Sequence, residues 1–215
     1  MLFRSAEVMN GRASGKLTVA SGAGESQLKM NFEGVDAARL LTLQGGKVMP
    51  FSGIAKGSVD LRFPGDDPRN ISGDIVADIL PGNVDKNDSI KGKIVVKATS
   101  GLFEVSSTSL ETAKTSLSAS GRFDLKNDRS NLAVKLSSTD ADEVSVILRS
   151  FDLAKDIQTR LDGFGLSFNG RMKFTGGLRG NIFDPMVSAD FELGNLGVKG
   201  QALGGLSAKI ERDEN

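Results

Sequence analysis

The sequence contains no cysteine, histidine, tryptophan or tyrosine. Without imidazole or thiol there is no histidine general base, no thiolate nucleophile and no ordinary zinc site, which leaves carboxylates, Lys, Ser and Thr for any chemistry. The chain is therefore expected to be non-enzymatic and to use neither cofactor nor metal. Absence of Cys suits an oxidising compartment, although many Cys-free proteins are cytosolic, so it decides little alone. No apolar run reaches the length of a signal peptide or a membrane span, and the chain as it stands reads as soluble. It stops directly after a strand-like stretch, Leu206 to Ile210, and so reads as a piece of something longer.

Charge of one sign is also missing. The 27 basic and 27 acidic residues cancel and are interspersed, so no basic face for nucleic acid is offered. Hydrophobic residues at 39% and charged residues at 25% give a balance that can fold around a core.

What is present is period-two alternation, which sends successive side chains to opposite faces of a strand. It is clearest from Ala113 to Leu125, where Thr115, Leu117, Ala119, Gly121 and Phe123 alternate with Lys114, Ser116, Ser118, Ser120, Arg122 and Asp124. The same pattern recurs at Leu28 to Phe32, Val59 to Phe63, Ile71 to Ile79, Ile90 to Ala98, Leu132 to Leu136, Leu166 to Phe174, Val187 to Leu193 and Leu206 to Ile210. Roughly ten strands are expected, each with one dry side. Turn residues separate them at 64–68, 81–83, Lys126-Asn127-Asp128 and Gly176-Gly177, as in an antiparallel meander. Scattered glycines suit bulges and a curved sheet.

Two stretches change period. From Asp140 to Phe151 the apolar residues Val144, Ile147, Leu148 and Phe151 fall at helical spacing, with Asp140 and Glu143 placed as a capping box. Val35 to Leu43 is a shorter version, with Asp36 as N-cap and Leu40 and Leu41 on the apolar side. Each helix follows a strand, which points to two tandem units, approximately 12–110 and 111–211, within one β-rich segment spanning 1–215. The matches are Gly15 with Gly121, Leu28 with Leu132, Asp36 with Asp140, Gly57 with Gly170, and Asp67-Pro68 with Asp184-Pro185.

Ser138 to Leu148, Leu166 to Gly176, Phe183 to Phe191 and Asn195 to Gly200 resemble the repeats of the AsmA-like and TamB (translocation and assembly module) proteins, and the resemblance covers most of residues 15 to 211. It implies a mainly β fold: a long curved antiparallel meander forming an open trough, a β-taco, with one or two short helices. Periodicity alone favours the core of a closed β-sandwich or barrel, and it is the resemblance that turns the expectation to an open trough. Family members are usually anchored in the inner membrane and cross the periplasm. They are implicated in moving phospholipid to the outer membrane or in assembling outer-membrane proteins. The resemblance thus implies a periplasmic location, a phospholipid or other hydrophobic ligand, outer-membrane assembly machinery as a possible partner, and membrane contact through parts of the parent protein absent from this chain. This sequence differs in lacking an anchor and an identifiable C-terminal partner-binding region.

The residues expected to line the trough are Leu61, Phe63, Ile75, Ile79, Val96, Leu117, Phe123, Leu125, Val134, Phe168, Met172, Phe174 and Phe191. Acyl chains suit such a lining, because each buried CH₂ contributes ~0.8 kcal/mol without directional chemistry. Other motifs are given structural roles. Gly15-Lys16 lacks the first glycine and the Ser or Thr of a phosphate loop. Asp140, Asp142 and Glu143 fit helix capping better than calcium. A carboxylate-based hydrolase would need two close carboxylates, and Asp66, Asp67 and Asp184 all lie in expected turns. Asn70-Ile71-Ser72 and Asn87-Asp88-Ser89 are formal glycosylation acceptors that remain unassigned.

Overall fold

A computed structural model describes residues 2–20, 24–41, 50–65, 67–82, 89–150, 163, 166–181 and 184–212. In chain order the elements are β1 (Leu2–Val8), β2 (Gly11–Thr18), β3 (Glu25–Asp36), α1 (Ala37–Leu41), β4 (Gly53–Pro64), a 3-10 turn at Pro68–Asn70, β5 (Ser72–Pro81), β6 (Lys91–Thr99), β7 (Leu102–Glu111), β8 (Thr115–Asp124), β9 (Ser130–Ser138), α2 (Ala141–Ser150), β10 (Leu166–Asn181), β11 (Asp184–Val198) and β12 (Gln201–Arg212). All twelve strands form one antiparallel sheet in sequence order. β1 and β12 are not joined, so the sheet is an open trough and the closed sandwich or barrel is not realised.

The expected strands are present, and β1, β2 and β7 were not among them. In β7 the cause is a bulge between Val105 and Thr108. The extra residue changes parity, so Phe103 and Val105 share a face with Thr108 and Leu110 although the two pairs are out of step in sequence. β1 carries a comparable shift between Phe3 and Ala6. Three tight two-residue turns also carry little sequence signal: Met9-Asn10, Ser100-Gly101 and Lys199-Gly200, each with positive φ at both positions. Paired positive φ is the type I′ geometry that matches strand twist.

Gly176-Gly177 is not a turn. It lies inside β10, with Gly176 paired to both Val134 and Ala189, and the Phe174 ring occupies the space a Gly176 side chain would take. At Gly73 and Gly121 the backbone is what demands glycine: φ is 138° and 122°, and a Cβ would strike the carbonyls of Asp60 and Asn131. Such positions let neighbouring strands approach closely where the sheet curls.

Both helices begin at the ends of strands and are capped as expected by Asp. The Asp36 carboxylate accepts from the N–H groups of Ala38 and Arg39, and that of Asp140 accepts from the N–H of Asp142. The reciprocal half of the capping box is absent, because the Glu143 carboxylate instead accepts from the Thr112 hydroxyl in the β7–β8 turn. Around it, Thr115 and Ser138 share a buried hydroxyl hydrogen bond of 2.9 Å, and Lys114 pairs with Asp140 at 2.7 Å. These contacts fasten the start of α2 to β8 and β9.

Asp124 departs from its expected place on the wet side. Its side chain is fully buried in the β8–β9 turn, accepting from the N–H groups of Lys126 and Asn127 and pairing with Arg129 at 2.7 Å. Burial opposes ionisation, but these hydrogen bonds outweigh it and hold the carboxyl down at about 2. The folded value lies below the unfolded one, so the folded state binds fewer protons near pH 3. Its stabilisation is present above about pH 4 and is lost as pH falls towards 2. Asp124→Ala should cost ~1–3 kcal/mol in denaturant unfolding at pH 7. Asp124→Asn should lose less stability than the parent between pH 5 and 2. An unchanged acid profile in Asp124→Asn would show that the carboxylate does not stabilise the fold.

Candidate functional site

Directly paired residues of antiparallel strands point to the same face, so the register traces each row of side chains across the sheet. One row runs through all twelve strands: Ala6, Ala13, Phe32, Gly57, Ala77, Ile94, Thr108, Ala119, Val134, Gly176, Ala189 and Ile210. Thr108 is its only polar member. The next row towards the helices runs from β3 to β12: Val35, Ala55, Ile79, Gly92, Leu110, Leu117, Leu136, Phe174, Phe191 and Ala208. On the other side run Met30, Val59, Ile75, Val96, Val105, Gly121, Leu132, Leu178 and Val187. Beyond them lie Leu28, Leu61, Gly73, Ala98, Phe103 and Phe123. These rows are apolar apart from Thr108, while the register also brings Arg212 opposite Val187, Ser26 opposite Phe63, and Thr115 and Ser138 in line with Met172.

The expected lining residues all belong to this face except Leu125, which sits one residue past the end of β8 and donates its N–H to the Gly101 carbonyl. Ile79 and Met172 are buried, and the other eleven are half-buried. Phe123 is less available than its position suggests, because its ring stacks on buried Phe103 with centroids 4.6 Å apart. Phe63 pairs with buried Ser26 at the outer lip. Phe168, across the β10 bulge, packs with Leu196 into the cluster under α2.

The helices cover one end of this face. Ala37, Ala38 and Leu40 of α1 pack with Val35, Phe51, Ala55, Ile79 and Ile90. Ala141 and Val144 of α2 pack with Met172 and Leu193, and Ile147 reaches across to the first cluster. Leu41, Leu148 and Phe151, expected on the helices' apolar sides, lie outside the residues whose side chains are described. Between the helices and the far lip Ala13, Ala77, Ala98, Phe103, Val105 and Ala189 are buried, while most of the larger side chains of the rows, such as Ile75, Val96, Leu132 and Val134, are half-buried.

The opposite face is a ladder of charge: Lys29 with Asp60 at 3.6 Å, Lys91 with Glu111 at 3.0 Å, and Lys173 with Glu192 at 3.8 Å. These exposed pairs contribute little each, but they mark this side as the wet one. Two shallow clefts, one between Arg12, Asn31, Glu33, Lys56 and Asp78 and one between Ser109, Ser116, Ser118, Lys135 and Lys173, lie among these polar side chains.

Among the described residues no cluster of three or more carboxylates able to hold a metal ion occurs. Asp67 caps the 3-10 turn through the N–H of Arg69, and Asn70 donates to it at 2.7 Å. Asp66 and the side chain of Asp184 lie outside the described residues, as does Asn87. Gly15-Lys16 is ordinary strand, paired with Met30 and Lys29. No described helix is long and apolar enough to cross a membrane. No family model, curated protein or solved structure matches the chain.

The two parts of the face should respond differently to mutation. Val144→Ala, beneath α2, should cost ~1–3 kcal/mol through lost contact and a cavity. Val96→Thr, mid-trough, should cost less than ~1 kcal/mol because water already reaches it. Denaturant titrations followed by far-UV circular dichroism measure both. Equal costs would mean that the middle of the trough is as covered as its helical end.

Proposed function

We propose that this chain is a non-enzymatic segment of an AsmA/TamB-like protein of the bacterial envelope, whose trough binds or conducts phospholipid acyl chains between inner and outer membranes. The observation that carries the proposal is the central apolar row, which runs through all twelve strands with Thr108 as its one polar member. At ~4.8 Å per strand the slot extends for about 55 Å. A continuous, partly accessible apolar strip of that length differs from the scattered apolar patches of an ordinary monomer, and large apolar surfaces mark sites for ligands, partners or membranes. Its composition favours chains over rings or polar molecules. Small Ala and Gly positions alternate with Leu, Ile, Val and Phe, and no Tyr or Trp adds a polar group in need of a partner. Each methylene buried there contributes ~0.8 kcal/mol, and nothing in the lining fixes one position along the slot. A bound chain can therefore slide, as transport requires.

A second reading is a scaffold for outer-membrane proteins that adds a client strand to an open sheet edge. It is favoured by β12, which pairs only with β11 among the described strands and leaves Leu203 64% and Ile210 50% exposed.

Native mass spectrometry of gently purified protein, followed by extraction and identification of what is bound, separates the two. The acyl-chain proposal expects co-purified phospholipid that disappears when Val96 and Val134 are both changed to Asp, with the circular dichroism of the sheet retained. These two residues lie mid-trough and belong to neither helix-covered cluster. A ligand-free parent protein that also fails to take up phospholipid from vesicles would overturn it and favour the scaffold.

A further inference from the structure

Glycine inside a strand calls for a reason, since it weakens the strand and offers no side chain to pack. At most inner-face glycines the reason is the backbone. Gly73 and Gly121 have positive φ, and at Gly15, Gly57 and Gly92 a Cβ would strike the carbonyls of Lys29, Val76 and Ser109. Gly176 has neither reason. Its φ lies outside the left-handed region, and the nearest atoms its Cβ would meet all belong to side chains: the Phe174 ring at 2.5 and 2.7 Å and the Ala189 methyl at 3.4 Å. What position 176 provides is room for one aromatic ring.

Phe174 stands one row nearer the helices on the same strand, and its ring is laid along β10 over Gly176, in the dip between Val134 and buried Ala189. In its own row Phe174 is flanked by Leu136 and Phe191, and the next inner-face position towards the helices is buried Met172. A ring lifted from this seat therefore moves into the trough. Phe32 lies over a glycine too, with its Cζ 2.8 Å from the place of a Gly57 Cβ, but there the Val76 carbonyl also forbids a side chain. Gly176 is thus a position where the seat of a ring can be altered without disturbing the backbone.

We infer that Phe174 and Gly176 together set the clearance of the slot at β10. The glycine seats the ring flat in the floor, and the flat ring leaves the central row open to an acyl chain. Raised by a side chain at 176, the ring would stand across that row between Val134 and Ala189. The inference rests on the acyl-chain reading proposed above and adds the residue pair that decides whether a chain passes. Gly177 supplies an internal comparison, because it lies on the outer face of the same strand, where a Cβ would make ordinary contacts of 3.6 Å to Ser188 Oγ and 3.8 Å to the Leu132 carbonyl.

The test compares the parent with Gly176→Ala, Gly177→Ala, Phe174→Trp and the double variant Gly176→Ala with Phe174→Leu. Each is checked by far-UV circular dichroism and denaturant unfolding, then incubated with vesicles of phosphatidylethanolamine and phosphatidylglycerol. Phospholipid taken up is followed over time by native mass spectrometry. Both glycine variants should be at least as stable as the parent, since alanine suits a strand interior better than glycine. Uptake should be several-fold slower in Gly176→Ala, unchanged in Gly177→Ala, and restored in the double variant, which has no ring to raise. Phe174→Trp, whose larger ring outgrows the seat, reaches the same end without altering the glycine and should also be slow. Parental uptake by Gly176→Ala or Phe174→Trp, beside a parent that takes up lipid, would overturn this inference and leave the acyl-chain reading standing. Equal loss in Gly177→Ala, or no recovery in the double variant, would overturn it as well, because the loss would then belong to the strand and not to the ring. A parent that takes up no phospholipid overturns the acyl-chain reading itself, and this inference with it.

Discussion

The structure depends on one constraint: every strand must keep its register with both neighbours, because a slip by one residue turns a whole strand inside out. In a closed barrel such an error would be opposed by the rest of the circle. Here each strand answers only to the strands before and after it in the chain. The apolar rows show how register is held. Large side chains face small ones across the ladder, as Phe32 faces Gly57 and Val134 faces Gly176. On the reverse side Lys56, Asp78 and Lys93 stand in line, so a slip would also bring Asp side chains into the trough.

The helices answer a different need. An open sheet with one dry face exposes that face unless something lies on it. α1 and α2 cover one end only, anchored by Asp caps and, for α2, by the hydroxyls of Thr112, Thr115 and Ser138. Among the described residues the buried apolar side chains beneath the helices fall into two modest clusters, with Ile147 of α2 reaching from one to the other. The helical end is thus covered by a second layer, and beyond it the face continues as a long strip of buried and half-buried apolar side chains.

Much of this was legible in the sequence because both relevant periods are short. Alternation assigned nearly all the lining residues to one face, and Asp36 and Asp140 announced the helices. What was hidden has common physical causes. Bulges reverse parity within a strand, which concealed β7. Type I′ turns such as Lys199-Gly200 take only two residues and leave little composition to notice. Gly176-Gly177 looked like punctuation because a sequence does not show that Phe174 lies over the gap. Asp124 was read as solvated because its partners Lys126, Asn127 and Arg129 come after it, in a turn that alternation cannot describe.

Strand order that follows chain order has a mechanical meaning. Contacts between strands are made almost wholly by segments adjacent in sequence, so ordering one hairpin asks little of distant parts of the chain, and loop-closure costs stay low throughout. The sheet behaves as a linear array with nearest-neighbour coupling. Folding can start at any hairpin and spread in both directions, and damage at one strand weakens its neighbours more than the far end. Tension applied between the two termini would peel strands away in succession, so the molecule yields gradually rather than by a single rupture.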